Sequence, residues 1–169
     1  MGAAGTSWIV VPAPFGAARL EARSGRLVRL SLFRDPGAAA AGVSGRPASR
    51  PAPAPLEAAA EQLAAYFAAR RREFDLPVDP GGTPFQRRVW RALMEIPWGA
   101  TRSYGEIARA IGRPGAARAV GAACGANPIA IVIPCHRAIG SDGALTGFAA
   151  GVDVKRFLLD LEQRGRKLF

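Results

Sequence analysis

The sequence predicts a mixed fold with strands gathered first and helices after them, and three observations carry that expectation. Short strand-like runs at Trp8–Val11, Ala17–Ala22 and Leu27–Phe33 are separated by Pro12–Gly16 and Arg23–Gly25, the punctuation of an antiparallel meander. Leu56, Leu63, Tyr66 and Phe67 fall on one side of the segment Leu56–Arg70, the spacing of an amphipathic helix. Beyond Thr83, helix-start signals crowd together, two of them with the Ser/Thr-x-x-Glu/Gln form of a capping box.

Between these anchors the chain is less regular. Asp35 to Pro55 is dominated by Ala, Gly, Pro and Ser without a usable period, so it is expected to be a mobile loop or linker. Phe74–Val78 is expected to return as a strand, and Asp79–Gly82 then breaks the chain. These features place an N-terminal unit at residues 1–80 and a second at 83–169. In the second, Thr83-Pro84-Phe85-Gln86 supplies an N-cap, a proline at the first helical position and a capping glutamine. Phe85, Val89, Leu93 and Ile96 form that helix's apolar side, and Pro97-Trp98-Gly99 stops it. Ser103-Tyr104-Gly105-Glu106 starts another helix, Gly112–Gly115 turns the chain, and Ala116–Gly125 forms a third ended by Asn127-Pro128. Helix, four-residue turn, helix is the rhythm of a helix-turn-helix, though other helical hairpins share it.

The last of those helices carries almost no bulk. Ala116, Ala117, Ala119, Gly121, Ala122 and Ala123 leave Arg118 as its single long charged side chain. Such a surface can press its backbone close to a minor groove, about 6 Å wide, or pack tightly against another helix. Arg118 favours the first reading, because no acidic residue lies three or four positions away to pair with it.

Composition bounds the function. A chain of 169 residues that is 49% apolar can bury a core. No apolar run approaches the roughly 18–20 residues a bilayer-spanning helix needs, so membrane partners are not expected. The opening Met1-Gly2-Ala3-Ala4-Gly5-Thr6 lacks the charged start of a secretory signal. Gly2 with Thr6 fits the short, common myristoylation pattern; the plain reading is a disordered start before Ser7. Two cysteines, Cys124 and Cys135, are too few for a disulfide framework, and with one histidine they make a structural zinc site improbable. A reducing cytoplasm is the expected compartment. The chain carries 23 Lys+Arg against 13 Asp+Glu, a net charge of +10, which draws it to polyanions, nucleic acid above all. From Thr83 onward the balance is 13 to 6, and before it 10 to 7, so a nucleic-acid face is expected in the second unit.

The reactive residues follow an apolar run. Ile129–Ile133 reads as a buried strand leading into Pro134-Cys135-His136-Arg137. A thiolate is the nucleophilic form of cysteine, and a nearby base or cation lowers the free thiol's pKa of about 8.5. His136 can be that base, and Glu162 can orient the imidazole from a last helix striped with Val154, Phe157, Leu158 and Leu161. Neighbours in an extended segment point apart, so a contact between Cys135 and His136 needs a turn or a water. A lone buried cysteine is more often structural, and Cys124 takes that reading. The residues alone stop at a basic helix-turn-helix protein with a candidate thiol nucleophile.

The motif Ile133-Pro134-Cys135-His136-Arg137 resembles the active-site motif of the O6-alkylguanine-DNA alkyltransferases, the methylated-DNA–protein-cysteine methyltransferases. Phe85-Gln86, Val89-Trp90, Ile96-Pro97, Gly99, Ser103-Tyr104, Arg118-Ala119-Val120-Gly121, Asn127-Pro128 and Leu158-Leu159 to Glu162 extend the match from Thr83 to Glu162. The resemblance implies an α+β protein with a ribonuclease-H-like N-terminal domain and a C-terminal DNA-binding and alkyl-transfer domain with a winged helix-turn-helix. It implies irreversible, single-turnover transfer of an alkyl group from O6-alkylguanine, and from O4-alkylthymine, onto Cys135, without metal or cofactor. By the same analogy Glu162, His136 and a water generate the thiolate, Asn127 braces the turn before it, and Tyr104 helps rotate the nucleotide and donates toward the departing base. Arg118 matches the finger that fills the space of a flipped guanine; Arg113, Ser141, Ala119 and Gly121 would meet DNA, and Phe148, Ala149 and Ala150 would shape the substrate pocket. The partner implied is double-stranded DNA, bound by a monomer, with cooperative binding along the duplex left open.

In two places the chain departs from the pattern. Phe148 stands where the family usually has tyrosine, and Ala150-Gly151 where it has paired glycines, so bulky substrates are less expected than methyl. Three other functions compete. A non-catalytic alkyltransferase-like lesion binder would carry tryptophan in place of Cys135. A helix-turn-helix regulator would carry larger polar residues on its second helix and a dimerisation element. A Cys–His hydrolase would have no use for the basic charge.

Overall fold

The computed structural model describes residues 5–49 and 51–167, so Gly2 of the myristoylation pattern lies outside the described residues. Chain packing separates two compact units, Met1–Pro80 and Gly81–Phe169.

In the first unit, β1 (Ser7–Ala13), β2 (Gly16–Arg23) and β3 (Arg26–Phe33) form the expected antiparallel meander. Gly16 at the first turn has φ +147, and a Cβ there would lie 2.3 Å from the Phe33 carbonyl oxygen, so this turn admits only glycine. The helix α2 (Ala54–Phe67) packs on the sheet through Leu56, Ala59, Leu63 and Tyr66, all essentially inaccessible.

Two expectations fail in this unit. Asp35–Pro55 is not a featureless linker. Asp35 caps a short helix, α1 (Pro36–Ala39), by accepting from the Gly37 N–H at 2.9 Å, and Ala39 is fully buried. Arg19 donates to the carbonyls of Ala39 and Ala41, and β4 (Arg46–Pro47) pairs parallel with β1. The small residues that hide periodicity also let the segment lie close against the sheet. Phe74–Val78, in turn, is no strand: only Val78 bridges Leu27, through bonds from Leu27 N–H to Pro77 and from Asp79 N–H to Leu27. Pro77 and Pro80 lack the donors a longer ladder would need.

The second unit is mainly helical. α3 (Pro84–Met94) and α4 (Tyr104–Ala110) both start with closed capping boxes, Thr83 with Gln86 and Ser103 with Glu106. α5 (Ala117–Gly125) follows the turn, and α6 (Val152–Lys167) closes the unit. Trp90 of α3 donates its Nε1–H to the Ala123 carbonyl of α5 at 2.9 Å, a buried bond that locks the two helices together. Gly82 (φ +81) lies against that indole, where a Cβ would come within 2.6 Å of the ring. A two-stranded parallel pair, β5 (Arg102–Ser103) with β6 (Ala138–Ile139), ties the start of α4 to the segment after Cys135.

Candidate active site

The turn before the thiol departs from the expected strand. Ile131 has φ +69, a left-handed conformation rare for a β-branched residue. The chain folds back on itself, with Ile133 N–H donating to the Ile129 carbonyl at 3.0 Å. Asn127 holds both ends: its Oδ1 accepts from Ile129 N–H at 3.0 Å, and its Nδ2 donates to the Ile133 carbonyl at 2.7 Å. An apolar run reads as a strand because periodicity sees only burial. Here Ile129, Ile131 and Ile133 are indeed buried, but on a turn.

Cys135, His136 and Arg137 form one turn of 3-10 helix, all three buried. This geometry supplies the bend that an extended Cys-His pair lacks. His136 is fully buried and its Nε2 lies 2.7 Å from Oε1 of Glu162, itself fully buried. Glu162 is reached because Lys155, Leu158 and Glu162 recur at helical spacing on the inward side of α6. Its oxygens are richly supplied. Arg137 donates from Nε to Oε2 at 2.9 Å and from Nη2 to Oε1 at 3.0 Å, and Gly99 N–H donates to Oε2 at 3.2 Å. Arg137 Nη1 donates to the Ile96 carbonyl at 2.5 Å, so the Ile96–Gly99 bend, the turn and α6 meet at one carboxylate.

The electrostatics follow from these contacts. Burial alone would push Glu162 up, but the hydrogen bonds and charges of His136 and Arg137 outweigh it and hold the carboxyl down at about 2. An ionised Glu162 accepts, so the shared proton sits on His136 Nε2. Burial pushes His136 below its usual range, against the pull of Glu162, and a neutral ring with Nε2–H keeps its basic lone pair on Nδ1. Burial pushes the Cys135 thiol up, opposed by the Asn127 amide and the Lys155 charge. Burial also raises Cys124, to about 12, which fits an inert packing residue.

A groove of about 540 Å³ lies beside the helix-turn-helix, lined by Tyr104, Gly105, Ala117, Arg118, Gly121, Ser141, Thr146 and Gly147. Arg118 is exposed on α5. Tyr104 Oη donates to the Thr146 carbonyl at 3.3 Å, and Lys155, fully buried, donates to Tyr104 Oη at 3.4 Å and to Thr146 at 3.1 Å. One ammonium therefore fastens the phenol to the loop that walls the groove.

The structure thus brings together Cys135, His136, Glu162 and Asn127 around the turn, and Tyr104, Arg118, Gly121 and Ser141 around the groove. Arg113 is exposed in the turn between α4 and α5, and Ala119 is exposed on α5; neither lines the groove. Phe148 and Ala150 are half-buried and Ala149 is exposed, and the loop meets the groove through Thr146 and Gly147 instead. Sequence reasoning missed Arg137 and Lys155. Lys155 carried a signal, being one of only two lysines in an arginine-rich chain and sharing a helical face with Leu158 and Glu162. Arg137 carried none beyond its place in the motif. Among the described residues no group of three His, Cys, Asp or Glu is gathered to hold a metal ion, and no helix is long and apolar enough to cross a membrane.

The family model described as the DNA-binding domain of 6-O-methylguanine DNA methyltransferase matches residues 84–164. A methylated-DNA–protein-cysteine methyltransferase of Mycolicibacterium paratuberculosis is 62% identical over 112 residues, 66% of this chain and 68% of the relative. One from Methanosarcina barkeri is 62% identical over 105 residues, 62% of this chain and 66% of the relative. The crystal structure of Mycobacterium tuberculosis O6-methylguanine methyltransferase superposes with a TM-score of 0.81 at 45% identity, covering 94% of this chain and 93% of that one. The Mycobacterium tuberculosis OGT structure in complex with DNA gives 0.83 at 46% identity, covering 94% of each. A thiol turn backed by a buried Glu–His pair beside a small-residue helix-turn-helix, on a chain this similar along its length, belongs to the methylated-DNA–protein-cysteine methyltransferase family.

Proposed function

We propose that this protein repairs DNA by taking the alkyl group of O6-alkylguanine, and of O4-alkylthymine, onto Cys135, once per molecule, acting as a cytoplasmic monomer on double-stranded DNA. The observation that carries the reading is the fully buried Glu162–His136 pair, 2.7 Å apart, beginning one residue after a buried thiol. His136, its proton on Nε2, accepts the thiol proton at Nδ1 through a water. The thiolate sulfur attacks the alkyl carbon in line; the S–C bond forms as the C–O bond breaks, and the electron pair leaves on the base. Tyr104 gives its phenolic proton to that base, which departs neutral; solvent then reprotonates the phenolate and takes the proton from His136. The carbon to be attacked is shielded inside the duplex, so the nucleotide must be extruded at a cost of a few kcal/mol. The bare surface of α5 allows close approach to the minor groove, and Arg118, its one long cation, fills the vacated stack.

Intact mass after incubation with an O6-methylguanine duplex tests the reading. One methyl is expected, on the peptide holding Cys135. Cys135→Ser should abolish it while keeping lesion binding, and Cys124→Ser should leave it unchanged. A methyl on Cys124, or more than one turnover per molecule, refutes the proposal.

A further inference from the structure

The proposed transfer leaves the buried guanidinium of Arg137 without a role. Arg137 is 7% exposed, yet it spends two donors on Glu162 and a third on the Ile96 carbonyl. An arginine guanidinium is a permanent cation in proteins. The carboxylate that orients His136 is therefore already matched by a permanent cation before the imidazole takes any charge.

Counting charges shows what this does. With the guanidinium and the buried Lys155 ammonium against one carboxylate, the cluster already carries one positive charge while the imidazole is neutral; protonating the ring adds a second, which burial disfavours. Without the guanidinium that charge is one lower and Glu162 loses its directly bonded cation, so the pair takes up a proton more readily, as an imidazolium–carboxylate pair or as a carboxylic acid beside a neutral ring. Either way the ring's capacity to take the thiol's proton falls. The charged groups facing His136 are Glu162 and Lys155 from α6 and Arg137 from its own turn. α3, also packed on the turn, keeps Arg87, Arg88 and Arg91 exposed.

We infer that Arg137 is a positioning residue for the relay: its two-pronged grip on Glu162 keeps His136 neutral at rest, with the proton on Nε2 and the lone pair on Nδ1 ready for the thiol's proton. The inference rests on the proposed role of His136 in alkyl transfer. It assigns Arg137 the protonation state of the relay rather than contact with substrate. Burial and the nearby cations lower His136 in the same direction, with Glu162 opposing.

The chain has a single histidine, so its imidazole nitrogens give one unambiguous set of NMR signals. In the unmodified protein they should report a neutral ring protonated at Nε2 at neutral pH, with the ring taking up a proton only below the usual imidazole range. Arg137→Gln removes the charge and keeps a donor; Arg137→Lys keeps the charge and loses the fork. For Arg137→Gln, the pH at which the cluster takes up a proton should rise by about one unit or more, because a cation in hydrogen-bond reach of the carboxylate is gone. The acid limb of the transfer-rate profile should move with it, and the rate should recover toward high pH. Arg137→Lys should keep the midpoint within about half a unit while transferring more slowly at all pH values. An equal rate loss at every pH in a folded Arg137→Gln, with the histidine signals unmoved, would make the residue merely structural. If Arg137→Gln does not fold, the unmodified protein decides: an imidazolium, or a ring protonated at Nδ1, at pH 7 overturns the inference. The spectra need no alkylated DNA, so a failure of methyl transfer with the expected spectra would fall on the repair reading and leave this assignment standing.

Discussion

Replacing Asn127 by alanine tests how the fold presents its thiol. The substitution removes two hydrogen bonds at once: the Ile129 N–H, on a fully buried residue, loses its acceptor, and the equally buried Ile133 carbonyl keeps only the Cys135 N–H. The orphaned N–H costs about 1–3 kcal/mol and the second lost bond about 0.5–1.5 kcal/mol, which places the sum at roughly 2–4 kcal/mol. The turn itself adds to this. Ile131 sits at φ +69, a conformation costing on the order of 1–3 kcal/mol that persists only while its surroundings enforce it. With Asn127 gone the turn can relax, and Cys135, whose N–H donates to Ile133 at 2.8 Å, moves with it. Displacing a reacting group by about 1 Å can cost 10²-fold in rate. Urea unfolding at pH 7.5 should therefore show a loss of about 2–4 kcal/mol, and single-turnover methyl transfer should slow by at least about tenfold. Asn127→Asp makes the two effects separable. It retains the acceptor for Ile129 but sets an anion beside the thiol, so transfer should fall further than stability does. An Asn127→Ala protein within about 0.5 kcal/mol of the parent and equally fast would refute the bracing role.

Two further outcomes are expected. Glu162 is held at about 2 in the folded protein against a reference of 4.5, a depressed carboxylate whose stabilisation is present above pH 4.5 and lost as pH falls toward 2. That shift corresponds to roughly 3 kcal/mol, so the gap in urea stability between the parent and Glu162→Gln should close over this range. A constant gap would deny the coupling. Arg118→Ala should slow transfer strongly from duplex DNA and much less from free O6-methylguanine, with partial recovery opposite an abasic gap where extrusion is cheaper; equal losses on both substrates would place Arg118 in pocket structure instead.

Legibility in the sequence followed the range of the interaction. Both capping boxes lie within four residues of chain, and both close as read. The Glu162–His136 contact spans 26 residues, yet a helical stripe pointed to the glutamate and a motif to the histidine. The errors arose where burial and backbone conformation part company. Ile129–Ile133 is as apolar as a strand, but two side-chain bonds from Asn127 turn it into a loop. Asp35–Pro55 lacks periodicity because its contacts are made by backbone carbonyls, to which Arg19 donates. Arg137 and Lys155 were missed for a shared reason: a buried cation shows its partner only when distant segments are folded together, and although Lys155 stands out by type among so many arginines, Arg137 does not.

The complete burial of the single histidine has a consequence for how acidity reaches this molecule. Of the 23 basic side chains all but two are arginine, and arginine does not titrate below about pH 12. Lys155 is buried, His136 is buried, and both cysteines are buried. With histidine and cysteine, the side-chain types that ordinarily change charge near neutrality, both buried among the described residues, the long-range attraction for a polyanion near pH 7 is tuned by salt. Near neutral pH the buried His136 cluster is therefore the place where a change of reaction rate with pH is to be sought.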